Sequence, residues 1–92
     1  MKQPVASNHF RKFKKRSPRH IQLEIDRQVV TVLKNPDIGE LKKGALKGIR
    51  VLKFKYKTQQ YLLSYKEQDK TLYLYTIGSH ENYYRKLKQF LH

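Results

Sequence analysis

Three lysines, Lys53, Lys55 and Lys57, recur at every second position of the run Ile49–Lys57, between Leu52, Phe54 and Tyr56. Strand side chains alternate between faces, so a strand here carries a row of ammonium groups on one side and an apolar row on the other. Such a row suits a phosphate, whose growing charge in a displacement needs fixed cations. Further on, Gly78-Ser79-His80-Glu81-Asn82-Tyr83-Tyr84 places His80 and Tyr84 four residues apart, on one face if the run is helical. An unperturbed imidazole titrates near ~6.5, a range suited to acid or base work at neutral pH. A tyrosine can stack on a base or hydrogen-bond a backbone. The lysine face and this histidine–tyrosine pair read as one site whose ligand is RNA. Arg50, Lys57, Tyr83, Arg85, Arg11 and Lys14 are the further candidate RNA contacts. Taken singly, each has a plainer reading: a histidine near a helix start is usually a surface residue, and alternating lysines are usually a solvated strand face.

The composition narrows the partners. The chain has 92 residues, with 21 Lys plus Arg against 7 Asp plus Glu and a formal net charge of +14. That suits one domain, residues 1–92, with one modest core. The imbalance favours a polyanion: nucleic acid, an anionic membrane surface or an acidic protein. There is no Cys, so no disulfide framework and no thiolate metal site. His9, His20, His80 and His92 stand at no ligand spacing, and no cofactor motif is present. No apolar run approaches the ~20 residues that span a bilayer, and no secretory signal is visible. The expectation is a cytoplasmic protein without metal or cofactor.

The elements that must position these residues follow in chain order. Gln3 to Ala6 reads as an edge strand, where Pro4 is tolerable. Ser7 or Asn8 can cap a helix carrying Phe10 and Phe13 on one face; Met1 to Arg16 holds six cations and no acid. Ser17-Pro18 opens a second helix with Pro at its first position, and Ile21, Ile25, Val29, Val32 and Leu33 form its apolar stripe. Asn35-Pro36 ends it. A glycine-bearing connection follows, pinned to the core by Leu41 and Leu46. Then come strands Ile49–Lys57, Tyr61–Tyr65 and Thr71–Ile77, with hairpin loops at Thr58-Gln59-Gln60 and Glu67-Gln68-Asp69-Lys70. Tyr61, Leu63 and Tyr65 share a face that reads as core. A last helix capped by Ser79 carries Tyr83, Leu87, Phe90 and Leu91. The fold class is therefore α+β: a helical hairpin packed on a twisted antiparallel sheet, with a C-terminal helix.

The strings Ile38-Gly39-Glu40-Leu41-Lys42, Val51-Leu52-Lys53-Phe54-Lys55, Tyr61-Leu62-Leu63-Ser64-Tyr65 and Ile77–Arg85, in this order, resemble the RelE/ParE superfamily of bacterial toxins, the toxin halves of type II toxin–antitoxin pairs. The resemblance covers residues 17 to 91. It implies one of two activities: ribosome-dependent mRNA cleavage in the RelE-like branch, or gyrase poisoning without catalysis in the ParE-like branch. It assigns Lys53, Lys55, His80 and Tyr84 to the RelE-like site, which implies metal-independent RNA cleavage by the substrate's own 2′-OH, with His80 as general acid or base, Lys55 as base where neighbouring cations such as Lys53 favour its neutral form, Lys53 otherwise as charge stabiliser and Tyr84 positioning the substrate. It also implies an acidic antitoxin, with ribosome and mRNA as further partners. Leu62 stands where RelE-like members carry a second-strand Arg. The third alternative is a basic RNA- or ribosome-binding module without toxicity.

Overall fold

The computed structural model describes residues 2–42 and 48–79. Strand β1 spans Gln3–Ala6, helix α1 Asn8–Arg16 and helix α2 Arg19–Lys34; a 3-10 turn at Pro36–Ile38 leads to β2, Glu40–Leu41. Strands β3 (Arg50–Tyr56), β4 (Gln59–Gln68) and β5 (Thr71–Ser79) follow. They form one five-stranded sheet in the order β1-β5-β4-β3-β2. The expected antiparallel core of three strands is present. The sheet as a whole is mixed, because β1 pairs parallel with β5. The C-terminal helix expected after Ser79 lies outside the described residues, as does Leu46.

The helices lie on one face of the sheet. Phe10 and Phe13 of α1 and Ile21, Ile25, Val29, Val32 and Leu33 of α2 pack on Leu52, Phe54, Tyr61, Leu63, Tyr65, Leu72, Leu74 and Ile77. These are the stripes that helical and strand periodicity select, and their burial is the main favourable term for so small a domain. Ser7 caps α1: its hydroxyl accepts the Phe10 N–H at 3.1 Å. Pro18 is the N-cap of α2 rather than its first helical residue, and its carbonyl accepts from Ile21 and Gln22. A Lys14–Asp26 ion pair joins the two helices.

Both hairpin turns are tighter than the polar runs suggest. Lys57–Thr58 and Asp69–Lys70 are the two-residue connections, so Gln59, Gln60, Glu67 and Gln68 belong to β4. Lys57 and Asp69 supply the positive φ that such turns demand, 56° and 55°.

Among the described residues, the link between α2 and the sheet is held by polar contacts rather than by Leu41. Leu41 is 52% exposed, which corrects the expectation that it anchors the connection. Fully buried Tyr65 does that work: its hydroxyl donates to the Pro36 carbonyl at 2.6 Å and accepts the Gly39 N–H at 2.8 Å. Arg50 donates to the Gly39 carbonyl at 2.8 Å and pairs with Asp37 at 3.4 Å. Gly39 has no room for a side chain, since a Cβ there would stand 2.6 Å from the Tyr65 oxygen.

Gly39→Ala is therefore expected to destabilise the domain by about 1–3 kcal/mol through overpacking. Tyr65→Phe should cost a similar amount by stranding a buried N–H and C=O, about 1–3 kcal/mol. Burial pushes the Tyr65 hydroxyl above its ordinary value of 10.0, against the Gly39 hydrogen bond and Arg50, which pull it down. The unfolded chain thus loses this proton first. The stability it confers is complete below about pH 10 and lost as pH rises further. Tyr75 is raised in the same direction by burial and by Tyr73. Urea unfolding at neutral and alkaline pH checks this: Tyr65→Phe should lose stability at neutral pH and show a shallower decline above pH 10.

Candidate functional site

The sheet face away from α1 and α2 carries Lys53 and Lys55, both exposed. Neighbours two apart on a strand stand about 6–7 Å apart, so the two ammonium groups can serve one phosphate or two adjacent ones. Cross-strand register fixes their surroundings. Lys55 pairs with Gln60; Lys53 pairs with Leu62, which pairs in turn with Gly78. Behind that row lies another, Val51–Ser64–Thr76. Leu62, Val51, Ser64 and Thr76 are all buried. The lysines therefore stand at the margin of an enclosed, largely apolar strip.

Gly78 and Thr76 reach this face through a bulge. Tyr65 pairs with Leu74 and Ser64 with Thr76, which leaves Tyr75 as the extra residue. Before it, Leu72 and Leu74 face the helices; after it, Ile77 does. One inserted residue has reversed the phase of β5. Side-chain hydroxyls hold it. Ser64 accepts the Thr76 N–H at 3.0 Å and shares a hydrogen bond with the Thr76 hydroxyl. On the other edge Ser7 donates its hydroxyl to the Tyr75 carbonyl and its N–H to the Leu74 carbonyl. The same Ser7 oxygen caps α1, so the helix layer is fastened to the bulge. The available sign of this device was Ser64 itself, a small polar residue inside Leu62-Leu63-Ser64-Tyr65.

The structure separates the other candidates. Arg50 shares the helix-facing side with Leu52 and Phe54 and is committed to Gly39 and Asp37. Lys57 leaves the lysine row: it occupies the turn, and its ammonium lies 5.7 Å from the Tyr56 ring centroid, on the helix side. Arg11 and Lys14 belong to α1, across the sheet from Lys53; Arg11 donates to Asn8 and Lys14 pairs with Asp26. His80, Tyr83, Tyr84 and Arg85 lie outside the described residues. Ser79, the last residue of β5, directly precedes His80 in the chain. Among the described residues there is no His, Asp and Glu grouping able to hold a metal ion, and no helix is long and apolar enough to cross a membrane.

The helical hairpin on one face of a small mixed sheet is an arrangement shared by solved structures. A chain of the intact Escherichia coli RelBE toxin–antitoxin complex superposes with a TM-score of 0.69 at 18% identity, over 85% of this chain and 95% of that one. The isolated E. coli RelE toxin gives 0.68 at 19% identity, over 97% and 98%. The solution structure of the conserved hypothetical protein HP0894 from Helicobacter pylori gives 0.54 at 22%, over 88% and 97%. At these identities the likeness establishes the fold. No curated protein matches the chain. The family model for the ParE-like toxin of type II bacterial toxin–antitoxin systems matches residues 5–88, nearly the whole length, and the chain belongs to that family.

The burial pattern sets an expectation for stability. Lys53→Ala and Lys55→Ala, at exposed positions, should each change it by no more than about 0.5 kcal/mol. Leu62→Ala, beside them but fully buried, should cost about 2–5 kcal/mol. Denaturant titration of the three variants distinguishes a lysine row that serves a ligand from one that holds the fold.

Proposed function

We propose that this toxin is a ribosome-dependent mRNA endonuclease whose cleavage surface is the lysine face of the sheet. The observation that carries the reading is the pair Lys53 and Lys55, exposed on one strand face and clear of the helix layer. Next to it, β5 ends at Ser79, immediately before His80 in the sequence. The reaction uses the substrate's own 2′-OH. Lys55 takes its proton as the oxygen attacks the adjacent phosphorus. The bond from phosphorus to the 5′ oxygen breaks, and His80 protonates that oxygen. The products are a 2′,3′-cyclic phosphate and a 5′-hydroxyl. Lys53 offsets the charge growing on the non-bridging oxygens, and Tyr84 stacks on or positions the strand. No metal is needed for these steps. The second partner is an acidic antitoxin that covers the lysine face or displaces Tyr84, and a ribosomal target places the action in the cytoplasm.

One observation favours a second reading. Leu62, at the position where RelE-like members carry an Arg, is fully buried directly across from Lys53. A face short of that cation also suits a gyrase-directed toxin without catalysis, the activity of the ParE-like branch.

Primer extension on mRNA translated by purified ribosomes, run beside a gyrase supercoiling assay, separates the two. The wild type should cut mRNA and spare gyrase. His80→Ala and Lys55→Ala should each slow cutting by roughly a hundredfold or more, the scale of a lost general acid or base. Lys53→Ala should lower the rate by about 10²–10³ through lost charge stabilisation. Intact mRNA together with inhibited gyrase would establish the second reading.

A further inference from the structure

The helix side of the β3–β4 hairpin carries a stacked column that the cleavage chemistry does not use. The His20 ring, at the start of α2, lies 5.8 Å from the Tyr56 ring at 28°, and the Lys57 ammonium stands 5.7 Å from the centroid of that same Tyr56 ring. His20 and Lys57 are exposed and Tyr56 is half-buried. Arg16 and Arg19, both exposed, flank the corner in sequence. The acid one helical turn away, Glu24, is buried and already holds Arg27 and Gln28. The corner is therefore aromatic and cationic, and Glu24 is engaged by Arg27 and Gln28.

The backbone adds a second observation. Lys57 sits at φ 56° in a two-residue turn where Gly or Asn is the ordinary occupant. A long cation is held at a strained tip that glycine would fill more comfortably, which points to a use for the charge. Aromatic rings interleaved with cations are how proteins hold unpaired bases: the ring stacks, the cation takes the phosphate, and base identity matters little.

We infer that His20, Tyr56 and Lys57 form a second RNA contact, in which an unstacked base extends the His20–Tyr56 column and Lys57 takes the adjoining phosphate. It lies across the sheet from Lys53 and Lys55, so it grips an RNA segment other than the one at the lysine face. It stands apart from the cleavage reading, because binding here is measured without cleavage.

The test is fluorescence anisotropy of the purified toxin with a labelled 12-nucleotide single-stranded RNA and with a labelled heparin oligosaccharide, which has charge but no bases. His20→Ala should weaken RNA about tenfold, within the usual range for one lost stacking partner, and leave heparin unchanged. His20→Phe should restore RNA binding. Lys57→Gly should weaken both ligands yet raise Tm, a combination that a merely structural lysine would not produce. The inference is overturned if His20→Ala binds RNA as the wild type does, if it loses RNA and heparin alike, or if Lys57→Gly lowers Tm without affecting binding. Cleavage of translated mRNA is scored separately. Its absence in the wild type would sink the nuclease reading and leave this contact standing.

Discussion

The arrangement of the lysine face depends on a bulge. With Tyr75 as the extra residue, β5 presents Leu72 and Leu74 to the helices and then hands that role to Ile77. Thr76 and Gly78 consequently join Leu62 and Ser64 on the face that carries Lys53. Had β5 kept its alternation, Ile77 would point away from α1 and α2 and Thr76 would enter the apolar core. The bulge is fastened on both sides, by Ser64 and by Ser7, whose oxygen also caps α1. One hydroxyl thus couples the start of the helix layer to the phase of the strand that ends beside the proposed acid.

This coupling bears on how so basic a chain folds. With a formal charge of +14, repulsion opposes compaction, and the few acids must be spent well. Asp26 joins the helices, Asp37 holds Arg50 against the α2–β2 connection, and Glu24 is enclosed by Arg27 and Gln28. The acids of the helix layer stabilise the fold locally, while Lys53 and Lys55 on the opposite face are left to solvent. The fold tolerates charge on that face because Lys53 and Lys55 stand exposed at the margin of its buried strip.

Much of this was legible in the sequence because it rests on periodicity. The stripe Ile21-Ile25-Val29-Val32-Leu33, the alternation Leu52-Phe54-Tyr56, the Ser7 cap and the edge strand with Pro4 all follow from which residues share a face. The parallel pairing of β1 did not, since strand partners distant in sequence leave no local signal. Leu41 misled because an apolar residue next to a core can still face water, and the anchor was a tyrosine hydroxyl 26 residues from its Gly39 partner. Counting by twos puts Lys57 in the lysine row, but the turn ends the alternation at Tyr56. The positions of Lys53 and Lys55 were readable from the period of two. The enclosure around them was not, because the fate of Leu62 depends on register and on the bulge.

The most direct test of the central claim is the chemistry of the cut end. After the wild-type toxin acts on mRNA translated by purified ribosomes, mass spectrometry of the upstream fragment reads its 3′ terminus. Attack by the 2′-OH leaves a 2′,3′-cyclic phosphate, and that is the terminus the account predicts, with a 5′-hydroxyl on the downstream fragment. A 3′-hydroxyl terminus, or mRNA left whole while gyrase is inhibited, would contradict it.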